Sequence, residues 1–289
     1  MKHSSLCQKL SIGAIEAFAI FDGAIGMDPA DLFVPNQAPQ PEADGIRQQI
    51  RGGEPGIHSS VLLLKTGRNT VLVDTGSGPG GDPNVGKLLK NLQATGIDSA
   101  EIDSIIFSHC HPDHIAGTLD VEGNPVFPNA HYYISENELA HWSAETVRVN
   151  SLIPEAMKDF VVCTAKRALQ AINSRMSAVR SGQEFLPGIR ALDGAGHSPG
   201  QIALAVTSGS NTLVHAADVI ANSTVAFKYP RWASAVDEDR DLAATTRQRL
   251  LDQLSADRVQ MFAPHIHFPG IGYVERRHSE YVWQPSPLK

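Results

Sequence analysis

The amino-acid sequence predicts an α/β fold in which two mixed sheets pack together with helices outside. Strand patterns dominate each half of the chain, and helical patterns follow them. Histidines and aspartates recur just past strand ends, where loops carry function on a rigid scaffold. Apolar residues make up 42% and charged residues 19% of the 289, a globular balance with enough chain for a sizeable core.

The elements follow in order. Ile12 to Phe21 reads as a strand. Residues 35–56 are rich in Pro, Gly and Gln and read as a surface excursion, because strand patterns resume after them; residues 1–289 therefore read as one domain. Ser59 to Lys65 and Thr70 to Asp74 are strands joined by the turn Thr66-Gly67-Arg68-Asn69. Val85 to Thr95 is helical in pattern, with Gly96 as its stop. Ile102 to Phe107 is a short apolar strand that runs into Ser108-His109-Cys110-His111. Ala130 to Ile134 is another, after which Ser135 caps a helix over Glu136 to Trp142 with Glu138 as its capping-box partner. A longer helical pattern fills roughly Pro154 to Val179. In the second half, Ile189 to Leu192 leads into Gly196-His197. Ile202 to Val206 and Thr212 to His215 form a hairpin that leads to Asp218. Leu242 to Leu254 is an amphipathic helix, and Val259 to Phe262 leads to Pro264-His265.

Composition excludes several functions. A net charge of −7 repels phosphate backbones, so nucleic acid is not an expected partner. Cys7, Cys110 and Cys163 are too far apart for a disulfide framework or a C-x-x-C zinc knuckle, and a cytoplasmic setting is the default. Glu16 interrupts the apolar stretch nearest the start, so no signal peptide is read. No run approaches the ~18 apolar residues of a membrane span. The expected partner is a small-molecule substrate, and a homodimer is compatible with this reading.

His109-Cys110-His111-Pro112-Asp113-His114 is the strongest signal. In extended backbone, residues two apart share a side, so His109 and His111 can share one metal while Cys110 faces away. Asp113 and His114 follow where the chain turns. With 12 His in 289 residues, chance occurrence of H-x-H-x-D-H is on the order of 0.001, which sets aside a solvated polar turn. Remote partners of ligand type exist. His197 lies in the tight turn Gly196-His197-Ser198-Pro199-Gly200, Asp218 follows one strand and His265 another. Singly, these read equally well as a turn residue, a helix cap and a surface group.

With these residues in this order, the sequence resembles the metallo-β-lactamase superfamily from about Ile12 to Arg276. Asp74-Thr75-Gly76 is similar to the D-T-G that ends an early strand there. The resemblance implies a four-layer αββα metallo-β-lactamase sandwich. It implies that His109, His111 and His197 hold one metal, that Asp113, His114 and His265 hold the other, and that Asp218 bridges. Within the superfamily, His265-Ile266-His267-Phe268-Pro269-Gly270-Ile271-Gly272 resembles the H-x-x-F-P-G-x-G of the branch with methyl parathion hydrolase and related lactonases. Ile12-Gly13-Ala14-Ile15-Glu16 and Phe21-Asp22-Gly23 also resemble it. Ala217 stands where glycine is common, Ala195 where proline is common, and Ala221 where some acyl-homoserine lactonases carry tyrosine.

The implied activity is a binuclear metal-dependent hydrolase that cleaves a neutral lactone or ester with a metal-bound hydroxide. Asp113 and Asp218 would orient the hydroxide as well as ligate. Zinc suits the imidazoles, and manganese, iron or cobalt suit the site richer in carboxylate. Phe227 and Trp232, in the segment after Asp218, are candidates for the wall of an apolar substrate pocket. Phosphotriester cleavage is the alternative. A mononuclear iron dioxygenase would need only part of this ligand set, and a non-catalytic binding protein would tolerate loss of a ligand, whereas none is missing. A thioesterase or β-lactamase of the same fold shares the full set.

Overall fold

The run Val61-Leu62-Leu63-Leu64 is apolar at every position, so both faces of its strand need cover. The computed structural model, which describes residues 6–53, 55–149, 152–278 and 280–287, supplies it. Val61 and Leu63 face an outer core under helices, and Leu62 and Leu64 face a second sheet. Residues 1–5, where a targeting segment would begin, lie outside the described residues.

The first sheet has seven strands in the spatial order β1 (Cys7–Ile12), β2 (Ile15–Ile25), β3 (Ile57–Lys65), β4 (Thr70–Val73), β5 (Ser104–Ile106), β6 (His131–Ser135) and β7 (Met176–Val179). Its first four strands are antiparallel, and β4 to β7 are parallel. The second sheet runs β8 (Glu184–Leu186), β9 (Ile189–Asp193), β10 (Ile202–Ser208), β11 (Asn211–His215), β12 (Gln260–Phe262), β13 (Ile271–Arg277) and β14 (Glu280–Pro285). Only β11 and β12 pair in parallel there.

Two short helices, α1 (Pro29–Phe33) and α2 (Glu42–Arg51), follow β2. Next come α3 (Leu88–Leu92), α4 (Pro112–Ile115), α5 (Glu136–Trp142) and α6 (Glu155–Ile172). The last are α7 (Val225–Lys228) and α8 (Arg240–Asp257). Helices α3 and α6 bury Leu88, Leu92, Val161 and Leu169 on the first sheet, and α8 buries Leu250, Leu251 and Leu254 on the second. The expected helix–sheet–sheet–helix layering is present. None of the described helices is long and apolar enough to cross a membrane.

Some boundaries differ from expectation. The first strand is two, because Gly13 at φ +58° makes a hairpin turn between β1 and β2. The long pattern from Pro154 to Val179 is α6 followed by β7, since pairing with β6 claims Met176–Val179. The excursion at 35–56 contains α2, whose Ala43, Ile46 and Ile50 are buried beside Ala221 and Val225.

Ser135 caps α5 as expected, accepting from the Glu138 amide at 3.1 Å. The Glu138 carboxylate does not close a capping box. It is 1% exposed and accepts from the Cys110 amide (2.9 Å), Trp142 Nε1 (2.7 Å), Ser198 Oγ (2.6 Å) and the Gly200 amide (2.8 Å). One buried carboxylate thus fastens the loop after β5 to the loop before β10, from opposite sheets. Gly200 is required for the approach, because a Cβ there would stand 2.0 Å from the Glu138 amide. Leaving buried donors unpaired costs about 1–3 kcal/mol each. We expect Glu138→Ala to lower the unfolding free energy by ~3 kcal/mol or more, read as a fall in the urea midpoint. A midpoint within error of wild type would show that the clamp does not hold the loops.

Candidate metal centre

The segment after β5 explains its own geometry. The Ser108 amide and hydroxyl both donate to Asp74, at 2.7 Å each, which sets the start of the loop. The backbone stays extended to His111 at ψ 154°, then Pro112 opens the single turn of α4. His109 and His111 therefore point one way, and Asp113 and His114 swing round beside them. Cys110 faces away, as expected, into the outer core.

The remote residues join them. His109 Nε2 lies 3.1 Å from His111 Nδ1, which lies 2.9 Å from His197 Nε2. His265 Nε2 lies 3.2 Å from His114 Nε2 and 3.2 Å from Asp113 Oδ2. Asp218 Oδ2 touches both groups, at 3.4 Å from His197 Nε2 and 3.1 Å from His265 Nε2. The seven residues fall into three overlapping groups, each with ligand atoms within 4.8 Å of one another. His267 is exposed and packs on His58, so of the two nearby histidines it is His265 that reaches the centre.

These side chains fit a pair of cations. The outer nitrogens of His109, His114, His197 and His265 are occupied. Nδ1 of His114 donates to Asp74 (2.9 Å), that of His197 to Asp237 (3.0 Å) and that of His265 to the His58 carbonyl (2.7 Å). His109 Nδ1 reaches Ser108 Oγ at 3.1 Å. Each such bond turns the Nε2 lone pair inward, as in metal-ligating histidines. Inward lone pairs then face one another, which is repulsive unless a positive charge stands between them. Asp218 Oδ1 is buried without a hydrogen bond, although His114 Nε2 is 3.2 Å away. Burial and the neighbouring imidazoles push His111 down to about 3. Burial opposes charge on His265 too, but Asp218 and Asp113 outweigh it and push that ring up to about 10. The carboxylate side of the cluster thus favours positive charge.

Two turns that carry the site are held in left-handed backbone without glycine. Asp74 has φ +63° and Ala217 has φ +46°. Such a conformation costs a residue with a Cβ about 1–2 kcal/mol. Both residues follow a strand and lead into the cluster, so strain sits where side chains must be aimed.

Sequence reading missed the supports. Glu138 looked like a cap and Asp74 like a strand end. Asp237 gave no signal, yet it is buried and accepts from His197, the Ser234 amide (2.7 Å) and Arg247 (3.3 Å). Arg247 did leave one. It sits at helical spacing among Ala243, Leu250 and Leu254, on the apolar stripe of α8.

A cavity of about 230 Å³ opens on His111, Asp113, His197, Asp218 and His265. Its walls include Leu32, Phe33, Ile153, Met157 and Phe160. Phe227 and Trp232 are not among its lining residues, and the expectation for them is corrected. Phe227 is 2% exposed and packs on Trp283, because α7 turns it into the core against β14. Trp232 stacks on Tyr229 at 4.0 Å. The apolar wall comes instead from α1 and α6, far from Asp218 in sequence.

Known proteins match this architecture. The family model for the metallo-β-lactamase superfamily matches residues 53–265. No curated protein matches the chain. The solved structure of AidC, a dizinc quorum-quenching lactonase in complex with the product N-hexanoyl-L-homoserine, is 28% identical with a TM-score of 0.90, covering 99% of this chain and 100% of that one. AbOPH, a hydrolase in the β-lactamase superfamily, is 25% identical with a TM-score of 0.88, covering 100% of both. An N-acyl homoserine lactone hydrolase with N-hexanoyl-L-homoserine at its catalytic metal centre shares the fold, at 19% identity and a TM-score of 0.61, covering 89% of this chain and 94% of that one. The family match spans all seven residues of the cluster, from His109 to His265, and the chain belongs to the metallo-β-lactamase superfamily.

Proposed function

We propose that this chain is a binuclear metal-dependent hydrolase of neutral, largely apolar lactones or esters. The observation that carries the reading is one carboxylate, Asp218, in contact with two histidine-rich groups at the floor of an apolar cavity. His109, His111 and His197 would hold one metal, and Asp113, His114 and His265 the other, with Asp218 shared. When bound, two such cations lower the pKa of water and polarise a carbonyl oxygen.

The chain's own groups do the rest. Asp237 keeps His197 in the tautomer that presents Nε2, and Asp74 does the same for His114. Asp113 is the more open of the two carboxylates, with its side chain 22% exposed against 7% for Asp218. It lines the cavity, where it would take the proton that attacking water gives up and return it to the leaving oxygen. The cavity wall removes water from the apolar part of the substrate. Among the described lining residues there is no Lys or Arg, while Asp82 and Glu238 are present. That charge pattern disfavours substrates with a carboxylate or phosphate dianion and favours neutral ones. AidC, similar along its whole length, is a lactonase, which supports the same substrate class here.

Metal-loaded protein should hold about two ions per chain by elemental analysis. His109→Ala and His265→Ala should each fall toward one, and Asp218→Ala should weaken retention of both with loss of most activity. Cys110→Ser should keep both ions. A wild-type value fixed at one, whatever zinc or manganese is supplied, overturns the binuclear site.

Ranking kcat/KM across a medium-chain lactone, an aryl ester, a phosphotriester, a glutathione thioester and a penicillin tests the substrate class. The lactone or aryl ester should lead. A lead for the phosphotriester would install the alternative, and a lead for thioester or penicillin would reject the proposal. Phe160 stands half-exposed on the cavity wall. Phe160→Asp should raise KM for a hexanoyl lactone by ~10-fold, the worth of one buried aromatic contact, and leave kcat nearly unchanged.

A further inference from the structure

His215 is a fully buried titratable group that the proposed chemistry does not use. It is the last residue of β11, 0% exposed, and its ring packs on Phe262 at 5.1 Å between centroids. Nε2 has no hydrogen-bond partner among the described residues. Nδ1 accepts from the Ala217 amide at 3.2 Å. A backbone amide can only donate, so Nδ1 is the acceptor of this bond and carries the lone pair.

What that bond holds is the turn before the shared carboxylate. The Ala216 amide is tied to the Phe262 carbonyl at 2.8 Å, as the strand pairing dictates. One residue later the backbone is left-handed, at φ +46°, and at the next the Asp218 side chain begins. Glycine would adopt this conformation freely, whereas alanine needs an outside contact to keep it. The imidazole of His215 is that contact. If the turn relaxed, Asp218 Oδ2 would leave its place between His197 and His265, where its distances are 3.4 and 3.1 Å.

We propose that His215 is a positioning residue whose Nδ1 holds the Ala217 amide and so aims Asp218 at both metal groups. The inference rests on the binuclear reading and adds a residue that touches neither metal nor substrate. Asparagine places an acceptor near the Nδ1 position, glutamine places its amide near the Nε2 position, and leucine places no acceptor at all. Ala217→Gly removes the strain directly.

The test is zinc retention against a chromogenic chelator for wild type, H215N, H215Q, H215L, A217G and H215L/A217G, with the melting temperature of each metal-free protein. H215Q and H215L should lose zinc affinity by ~10-fold or more at both sites, as expected for an outer partner of a ligand. H215N should stay within ~3-fold of wild type, and A217G should restore most of what H215L loses. Should H215L not fold, the H215N and H215Q pair carries the comparison. Equal losses in H215N and H215Q that follow their melting temperatures would overturn the inference, as would wild-type retention in H215L. Wild-type protein that takes up no zinc would instead overturn the binuclear reading, which separates the two failures.

Discussion

Imidazole nitrogens that stand 2.9 to 3.2 Å apart with their lone pairs inward repel one another, and most of this structure serves to keep them there. Without a cation the arrangement is an electrostatic cost. Asp218 and Asp113 favour positive charge on His265, while burial and neighbouring rings disfavour it on His111. A divalent ion in each group would replace that repulsion with direct attraction, and metal binding would then be coupled to the final shape of these loops.

The coupling explains why the supports are themselves buried and ionic. Glu138, Asp74 and Asp237 are each almost fully buried, and each accepts several hydrogen bonds, at least one of them from a segment that carries a ligand. Arg247 completes the Asp237 group and also donates to the carbonyls of Val219 (2.9 Å), Pro230 (3.1 Å) and Trp232 (2.8 Å). One arginine thereby ties α8, the His197 loop and the segment after Asp218 into one unit. Such groups make weak evidence for stability alone. Their service is geometric, because a ligand that drifted by an ångström would no longer reach an ion shared with its neighbours.

The cavity obeys a different logic. Its floor is ionisable and its walls are apolar, so a substrate is sorted by two criteria at once. Under the proposed function the reacting oxygen must suit cations, and the remainder must prefer Phe33, Met157 and Phe160 to water. Walls from α1 and α6 belong to segments outside the sheets. Substrate preference can thus change in these helices without disturbing the strands that deliver the ligands.

Much of this was legible in the sequence. Alternation and continuous apolar runs marked the strands, because burial on one or both faces must be written residue by residue. H-x-H-x-D-H marked the centre, because extended backbone puts alternate residues on one side whatever surrounds them. The resemblance then supplied the order in which His197, Asp218 and His265 join it. Local chemistry misled where a distant partner overrode it. Glu138 had the spacing of a capping box, but three donors from two other loops, with Trp142 of its own helix, claimed its carboxylate. Met176–Val179 continued a helical pattern until β6 offered it an open edge. Phe227 and Trp232 followed Asp218 closely in sequence, yet the fold turned one into the core and stacked the other on Tyr229. The sequence by itself determined which residues can ligate and which strands must be buried, since those depend on side-chain type and short-range periodicity. Only the tertiary structure decided which carboxylates brace the ligands and which helices wall the cavity, since those contacts join segments tens of residues apart and leave no local pattern.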